Sequence, residues 1–169
     1  MTDKFVSIRN LKFLLHEVLN IENLTRFDYY SDHSTETFDL ALDTAYKIGK
    51  NLLQPSLQEM DKKPPTFENG VVHVHPVVKE FLQECGKGGW IAANASCDAD
   101  GQQLPFCVSS ACHFIFGAAN YSASVYPLLM YGAGHLIESF GSEQLKREFI
   151  PNIFSGKWQG TMALTEPQA

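Results

Sequence analysis

The side chains in this sequence that could do chemistry are scattered, and their spacing removes most of the reactions they suggest. His16-Glu17 lacks the second histidine that a zinc-protease helix needs. His73 and His75 would project from one face of a strand and can in principle share a metal, but no third ligand of suitable type stands nearby, so they read as part of a surface strand. Gly86-Lys87-Gly88-Gly89-Trp90 looks superficially like a phosphate cradle, yet no Gly-Lys-Ser/Thr or dinucleotide fingerprint surrounds it and the segment before it reads as helix, so turn chemistry explains it. There is no Gly-x-Ser-x-Gly elbow, and Cys112-His113, adjacent on one helix, point in different directions. His113 lies in an apolar helix, where it reads first as a satisfied buried histidine and second as a catalytic candidate. The four cysteines, Cys85, Cys97, Cys107 and Cys112, form no Cys-x-x-Cys pair and read as reduced thiols in preference to a disulfide or metal site.

The elements that must position any site form one ordinary-sized domain. The chain has 169 residues, 44% of them hydrophobic, enough to fill a core. Thirteen Lys and Arg against 19 Asp and Glu give a formal charge of -6, with no basic cluster, which argues against nucleic acid or an anionic membrane as partner. No apolar run approaches the roughly 20 residues that cross a bilayer, and Met1 to Asn10 lacks the apolar core of a secretion signal, so the expected compartment is the cytoplasm or an organelle's matrix.

Apolar spacing predicts five or six helices. Leu11, Leu14, Leu15, Val18 and Leu19 make a short amphipathic helix, readable equally as an interaction arm or a core element. Phe38, Ala41, Leu42, Ala45, Ile48, Leu52 and Leu53 make a longer one behind the caps Ser34 and Thr35, kinked or ended at Pro55. Asp61 to Asn69 reads as a loop leading into the extended piece Val71 to His75, and Pro76 opens a helix to about Gln83, stopped by Gly86, Gly88 and Gly89. Phe106 to Ala119, and the series from Tyr121 through Val125, Leu128, Leu129, Gly132 and Leu136, look like central, largely buried helices. Gly132, Ala133 and Gly134 strip bulk from the second, at about 1 kcal/mol per glycine against alanine, so something must approach closely there. Ser142 caps a last helix that Pro151 can split and Gly156 ends, and Gly160 to Leu164 reads as a short strand. The sum is an all-α bundle.

The stretch Gly141-Ser142-Glu143-Gln144-Leu145-Lys146, then Phe149-Ile150-Pro151, then Ser155-Gly156-Lys157-Trp158-Gln159-Gly160-Thr161-Met162-Ala163-Leu164-Thr165-Glu166-Pro167-Gln168-Ala169 resembles the acyl-CoA dehydrogenase signature. That family reads glycine, helix, Leu-Pro, Gly, then Thr-Glu-Pro-x-Ala-Gly-Ser. Phe38 to Pro55, Gly70 to Pro76, Gly89-Trp90 and Gly101 to Pro105 follow the same order. The added amino-terminal helix resembles the methylmercaptopropionyl-CoA and long-chain subgroup.

The resemblance implies the family's amino-terminal helical bundle with an extra N-terminal helix and a short terminal strand. Residues 1–33 would be the extension, 34–159 the helical domain, and 160–169 the first strand and start of the flavin loop of a β domain that does not follow. It implies FAD, an acyl-CoA substrate oxidised to trans-2-enoyl-CoA, an electron-transfer flavoprotein as acceptor and a homo-oligomer. Met162, Leu164 and Thr165 would lie beside the isoalloxazine ring, with Thr165 and nearby amides on its pyrimidine edge. Ser124, Leu128, Leu129 and Gly132 would line the inner end of the acyl pocket. The base would come from a carboxyl-terminal domain, so no residue here is assigned as catalytic, Glu166 included, no metal is expected, and the chain alone should not turn over. Ala111, Cys112 and His113 stand where many members carry acidic residues, which bears on substrate class. Two alternatives stay open: a helical binding or structural module without catalysis, and part of an acyl-CoA oxidase, which returns electrons to oxygen. Faces of 106–119 and 121–140 left open to water would favour self-association.

Overall fold

The computed structural model describes residues 5–163, 165 and 167. They fall into two compact units, one made of 1–81 and 103–124, the other of 82–102 and 125–169.

The first unit opens with α1 (Ile8–Lys12), whose exposed amides are capped by Ser7 Oγ accepting from the Asn10 N–H at 3.3 Å. It widens into a π-helical stretch, Phe13–Val18. Of its apolar series Leu15 alone is buried, while Leu14, Val18 and Leu19 are about half exposed. After 3₁₀ turns at Ile21–Arg26 and Asp28–Tyr30 comes α2 (Thr35–Ile48). Ser34 Oγ accepts from the Thr37 N–H and Thr37 Oγ1 from the Ser34 N–H, a reciprocal box that fixes the helix start. Phe38, Leu42 and Ala45 then recur at helical spacing and are fully buried.

Pro55 does not end this helical run. The chain passes through a π-helical stretch, Gly49–Leu53, and a 3₁₀ turn, Gln54–Ser56, into α3 (Leu57–Lys62). Pro55 stands in the first turn of a new segment, where a missing N–H costs least. The hairpin that follows pairs β1 (Thr66–Glu68) with β2 (Val71–His73), Glu68 opposite Val71. Asn69 and Gly70, both at positive φ, make the tight turn that suits the twist of paired strands.

Helix α4 (Pro76–Lys87) buries Val77, Val78, Phe81 and Cys85. The Phe81 ring meets Phe116 edge to face, centroids 5.2 Å apart, in the core of the first unit. Phe116 belongs to α5 (Phe106–Phe140), on which Val108, Ile115 and Ala119 are also fully buried.

In the second unit Ile91, Met130, Ile150, Ile153 and Phe154 form the core. α4 runs a turn beyond the end expected near Gln83, straight through Gly86. The carbonyl of Ser155 packs so closely on Gly86 that a Cβ there would overlap it, and this contact outweighs the weak helix preference of glycine. α6 (Glu143–Phe154), capped by Ser142 Oγ accepting from the Leu145 N–H, is not split at Pro151. The Asn152 side chain donates to Glu148 O at 2.9 Å, and the buried Ile150, Ile153 and Phe154 hold the last turn.

Two expectations about the second unit need correction. Gly160 to Leu164 is not a strand over its described residues, because no neighbouring strand offers 160–163 a ladder of hydrogen bonds. The second half of α5 is not largely buried: Leu128, Leu136 and Phe140 are 46%, 62% and 84% exposed, leaving an open apolar face.

Candidate functional site

Helix α5 carries the expected acyl-pocket residues, and it is two helices joined at Asn120. That residue has extended backbone, φ -163° and ψ 96°, between helical neighbours, the break falling where the sequence placed it, between Ala119 and Tyr121. Its Oδ1 accepts from the Ala123 N–H at 3.2 Å, which caps the second segment. Its Nδ2 donates to Ser56 Oγ at 3.0 Å, to Met60 Sδ at 3.2 Å and to Leu53 O at 3.4 Å. The carboxamide is 1% exposed with its hydrogen-bonding capacity satisfied. Sequence reasoning missed it, although an asparagine between two apolar helical runs is itself a cap signal.

Ser124 lies one turn beyond the break, half-buried, its hydroxyl donating to Tyr121 O at 2.9 Å. Leu128, Leu129 and Gly132 follow at helical spacing, Leu128 exposed and the other two half-buried. The small-residue stripe of α5 receives what the sequence demanded. Phe154 packs on Gly134 so closely that a Cβ would overlap its ring, and buried Gly160 lies on Ala133 and the backbone of Leu129 and Met130. Met162 then comes over Gly132: its Cε is 3.4 Å from where a Cβ on that glycine would stand.

The structure therefore brings Met162 and Gly132 together. Met162 and Thr165 are exposed, Met162 at 56%. Leu164 and Glu166 lie outside the described residues. Among the described residues, only Met162 of the expected flavin-side set is shown against the apolar stripe, at Gly132.

Among the described residues the titratable groups offer no competing centre. Burial lowers the pKa of His113, and among the described residues no carboxylate orients it. Burial pushes the Cys112 thiol up to about 12 and raises that of Cys85 further, so neither supplies a thiolate nucleophile. His75 Nδ1 accepts from the Val77 N–H at 3.1 Å and its Nε2 faces Glu59 at 3.5 Å, which commits the ring to capping α4. Ser96, Glu138 and His135 superficially resemble a nucleophile set, but Ser96 and His135 both face the Glu138 carboxylate, at 3.3 and 3.4 Å, so the imidazole cannot take the serine proton. Ser96 and Glu138 border an open cleft of about 510 Å³ that includes Lys146 and Arg147 and none of the expected pocket residues. No helix among the described residues is long and apolar enough to cross a membrane.

A model of the acyl-CoA dehydrogenase N-terminal domain matches residues 35–157. A butyryl-CoA dehydrogenase of Syntrophomonas wolfei is 30% identical over 166 residues, covering 96% of this chain and 27% of the relative. A 3-methylmercaptopropionyl-CoA dehydrogenase of Ruegeria pomeroyi is 26% identical over 162 residues, covering 96% and 28%. The chain spans little more than a quarter of the length of these curated relatives.

Proposed function

The chain belongs to the acyl-CoA dehydrogenase family, as its N-terminal domain, and from that premise we propose that it forms the helical wall of a flavoenzyme that removes two hydrogens from an acyl-CoA thioester to give a trans-2-enoyl-CoA. The observation that carries this reading is the approach of Gly160 and Met162 to the Gly132–Gly134 stripe of α5, the helix expected to line the acyl chain.

Bound FAD would supply the hydride acceptor for the β-hydrogen, while a carboxylate base takes the α-proton. The residues of this chain bind and orient. Thr165 and nearby amides would donate to the pyrimidine edge, where negative charge grows on reduction. Leu128, Leu129 and Ser124 would keep the acyl chain out of water, with the notch at Gly132 at the pocket's inner end. We assign no base to this chain and expect it to show no turnover and weak flavin binding when isolated, because proton and hydride must leave in one geometry that it does not hold alone.

The two relatives are named for short acyl-CoA thioesters, so that class is the first to test. The reading also takes an electron-transfer flavoprotein as acceptor, a homo-oligomer as the assembly and the cytoplasm as the compartment, each supported by the family alone.

The test uses the whole protein from its gene: record the visible spectrum, then add acyl-CoAs of graded length without oxygen. Bleaching of the flavin band by one length class supports the reading and names the substrate. A colourless, unresponsive protein leaves a non-catalytic helical module, and steady peroxide production in air makes it an oxidase.

A further inference from the structure

We propose that Asn120 is a positioning residue for the acyl pocket: its carboxamide fixes where the second segment of α5 begins, and with it where Ser124 stands. The inference rests on the reading of Ser124 as pocket lining.

Two irregularities in the first unit meet at this side chain. In the run from α2 to α3, Leu57 N–H bonds to Gln54 O in a 3₁₀ turn instead of reaching back to Leu53. The Leu53 carbonyl also accepts from Ser56 Oγ at 2.8 Å and from Asn120 Nδ2 at 3.4 Å. Across from it, α5 breaks at Asn120, whose Oδ1 caps the Ala123 N–H. One planar amide thus joins both defects. Its donor end is anchored to Leu53, Ser56 and Met60, and its acceptor end holds the first turn of the helix that bears Ser124. Because the carboxamide is planar and buried, the anchors on the α2–α3 run determine the direction of the cap. On the facing side a Cβ at Gly117 would stand 3.7 Å from both Ser124 Oγ and Tyr121 Cδ2, in ordinary contact, so Gly117 does not wedge Ser124 from that side. The Ser124 hydroxyl is tied to Tyr121 O within the same first turn that the cap begins. A residue needed only to fill space would not require a donor aimed at one element and an acceptor aimed at another.

The variants separate the two ends. Asn120→Ser keeps a capping oxygen and loses the reach to Leu53; Ser56→Ala removes one anchor; Asn120→Ala removes both functions. Val108→Ala, a core cavity elsewhere in the first unit, controls for lost stability alone. In the whole protein, the ratio of kcat/KM for a four-carbon and an eight-carbon acyl-CoA should change roughly tenfold in Asn120→Ala, since small displacements in a binding wall are costly to rate. It should change less in Asn120→Ser and Ser56→Ala, and not in Val108→Ala. If Asn120→Ala lowers Tm like the control and leaves the ratio untouched, the residue only holds the fold and the proposal is overturned. If no acyl-CoA is turned over by the wild type, the functional reading fails separately. Amide exchange then decides the geometric claim: Ala123 and Ser124 should lose protection in Asn120→Ala and keep it in Asn120→Ser, and equal protection in both overturns it.

Discussion

The methyl group of Met162 lies beside Gly132, 3.4 Å from the place a Cβ would occupy. A methyl at 132 would meet it in ordinary van der Waals contact, and alanine in a helix interior is favoured over glycine by about 1 kcal/mol. Gly132→Ala should therefore raise Tm of the isolated chain by about 2–4 °C, measured by loss of helical circular dichroism. In the whole protein the same change should narrow the range of acyl chains accepted. A fall in Tm would mean that the space at 132 is tighter than the structure gives.

Gly86 makes the opposite prediction from the same residue type. The atom above it is the Ser155 carbonyl, a backbone group that cannot rotate away. Gly86→Ala should cost about 1–3 kcal/mol through forced separation of α4 from the end of α6, despite the gain in helix preference. Urea midpoints of the two alanine variants, compared at equal slope, check the contrast. Equal stabilisation in both would mean that the close approach at Gly86 is not made in solution.

How much was legible follows from what each signal measures. Helices appeared where apolar spacing was long, as at Phe38 to Leu53, and the α5 break appeared because Ala119 and Tyr121 bound two separate runs. The stripe Gly132–Gly134 announced close packing but not by what, since Phe154 and Met162 reach it from residues distant in sequence. Tertiary contact also overrode local preference at Gly86 and at Pro151, whereas Pro55 sits where a helical turn begins and violates no preference. The anchors of Asn120 were illegible for a plainer reason: Leu53 offers only a carbonyl, which every residue has. Of the candidate site, Thr-Glu-Pro at 165–167 was readable as motif alone, and the meeting of Met162 with Gly132 needed the fold.

The ties between the amino-terminal helix and α2 should respond to pH at both extremes. Lys12 Nζ stands 3.2 Å from Asp39 and 3.1 Å from Asp43, and His16 Nε2 2.9 Å from Asp39. Partial burial opposes the Asp39 charge, but hydrogen bonds from His16 and Lys12 prevail and hold its pKa below the usual 3.8. A depressed carboxylate contributes stability that is complete above its unfolded pKa and lost as pH falls through the lower folded value, here below about 4. For Lys12 burial is the largest effect and lowers the pKa, yet the two carboxylates together raise it above 10.5. Its contribution is complete below that value and lost as pH rises past it. Both side chains are about a third exposed, so water leaves each contact worth no more than about 1 kcal/mol. The Asp39 contribution to exchange protection of the Leu15 amide should therefore fall in acid, below about pH 4, and that of Lys12 only above about pH 10. Asp39→Asn should lower the plateau between those limits and flatten the acid arm; an unchanged acid arm would place its cause elsewhere.

Thiol reactivity should rank the cysteines by burial. Cys97 is exposed, Cys107 half-buried with its thiol raised by desolvation, and Cys85 and Cys112 buried. Reaction with a disulfide reagent runs through the thiolate. With its pKa near 12, Cys112 carries only about one thiolate in 10⁴ molecules at pH 8, and Cys85 fewer, before access is counted. In native buffer one thiol should react quickly, one slowly and two only after denaturant is added, with mass spectrometry assigning the fast site to Cys97. Because Cys85 sits on α4 and Cys112 on α5, their unmasking should follow the cooperative loss of helix as denaturant rises. If either labels before that transition, the helix bearing it opens locally, and the wall it contributes is looser than the burial of Phe81 and Phe116 requires.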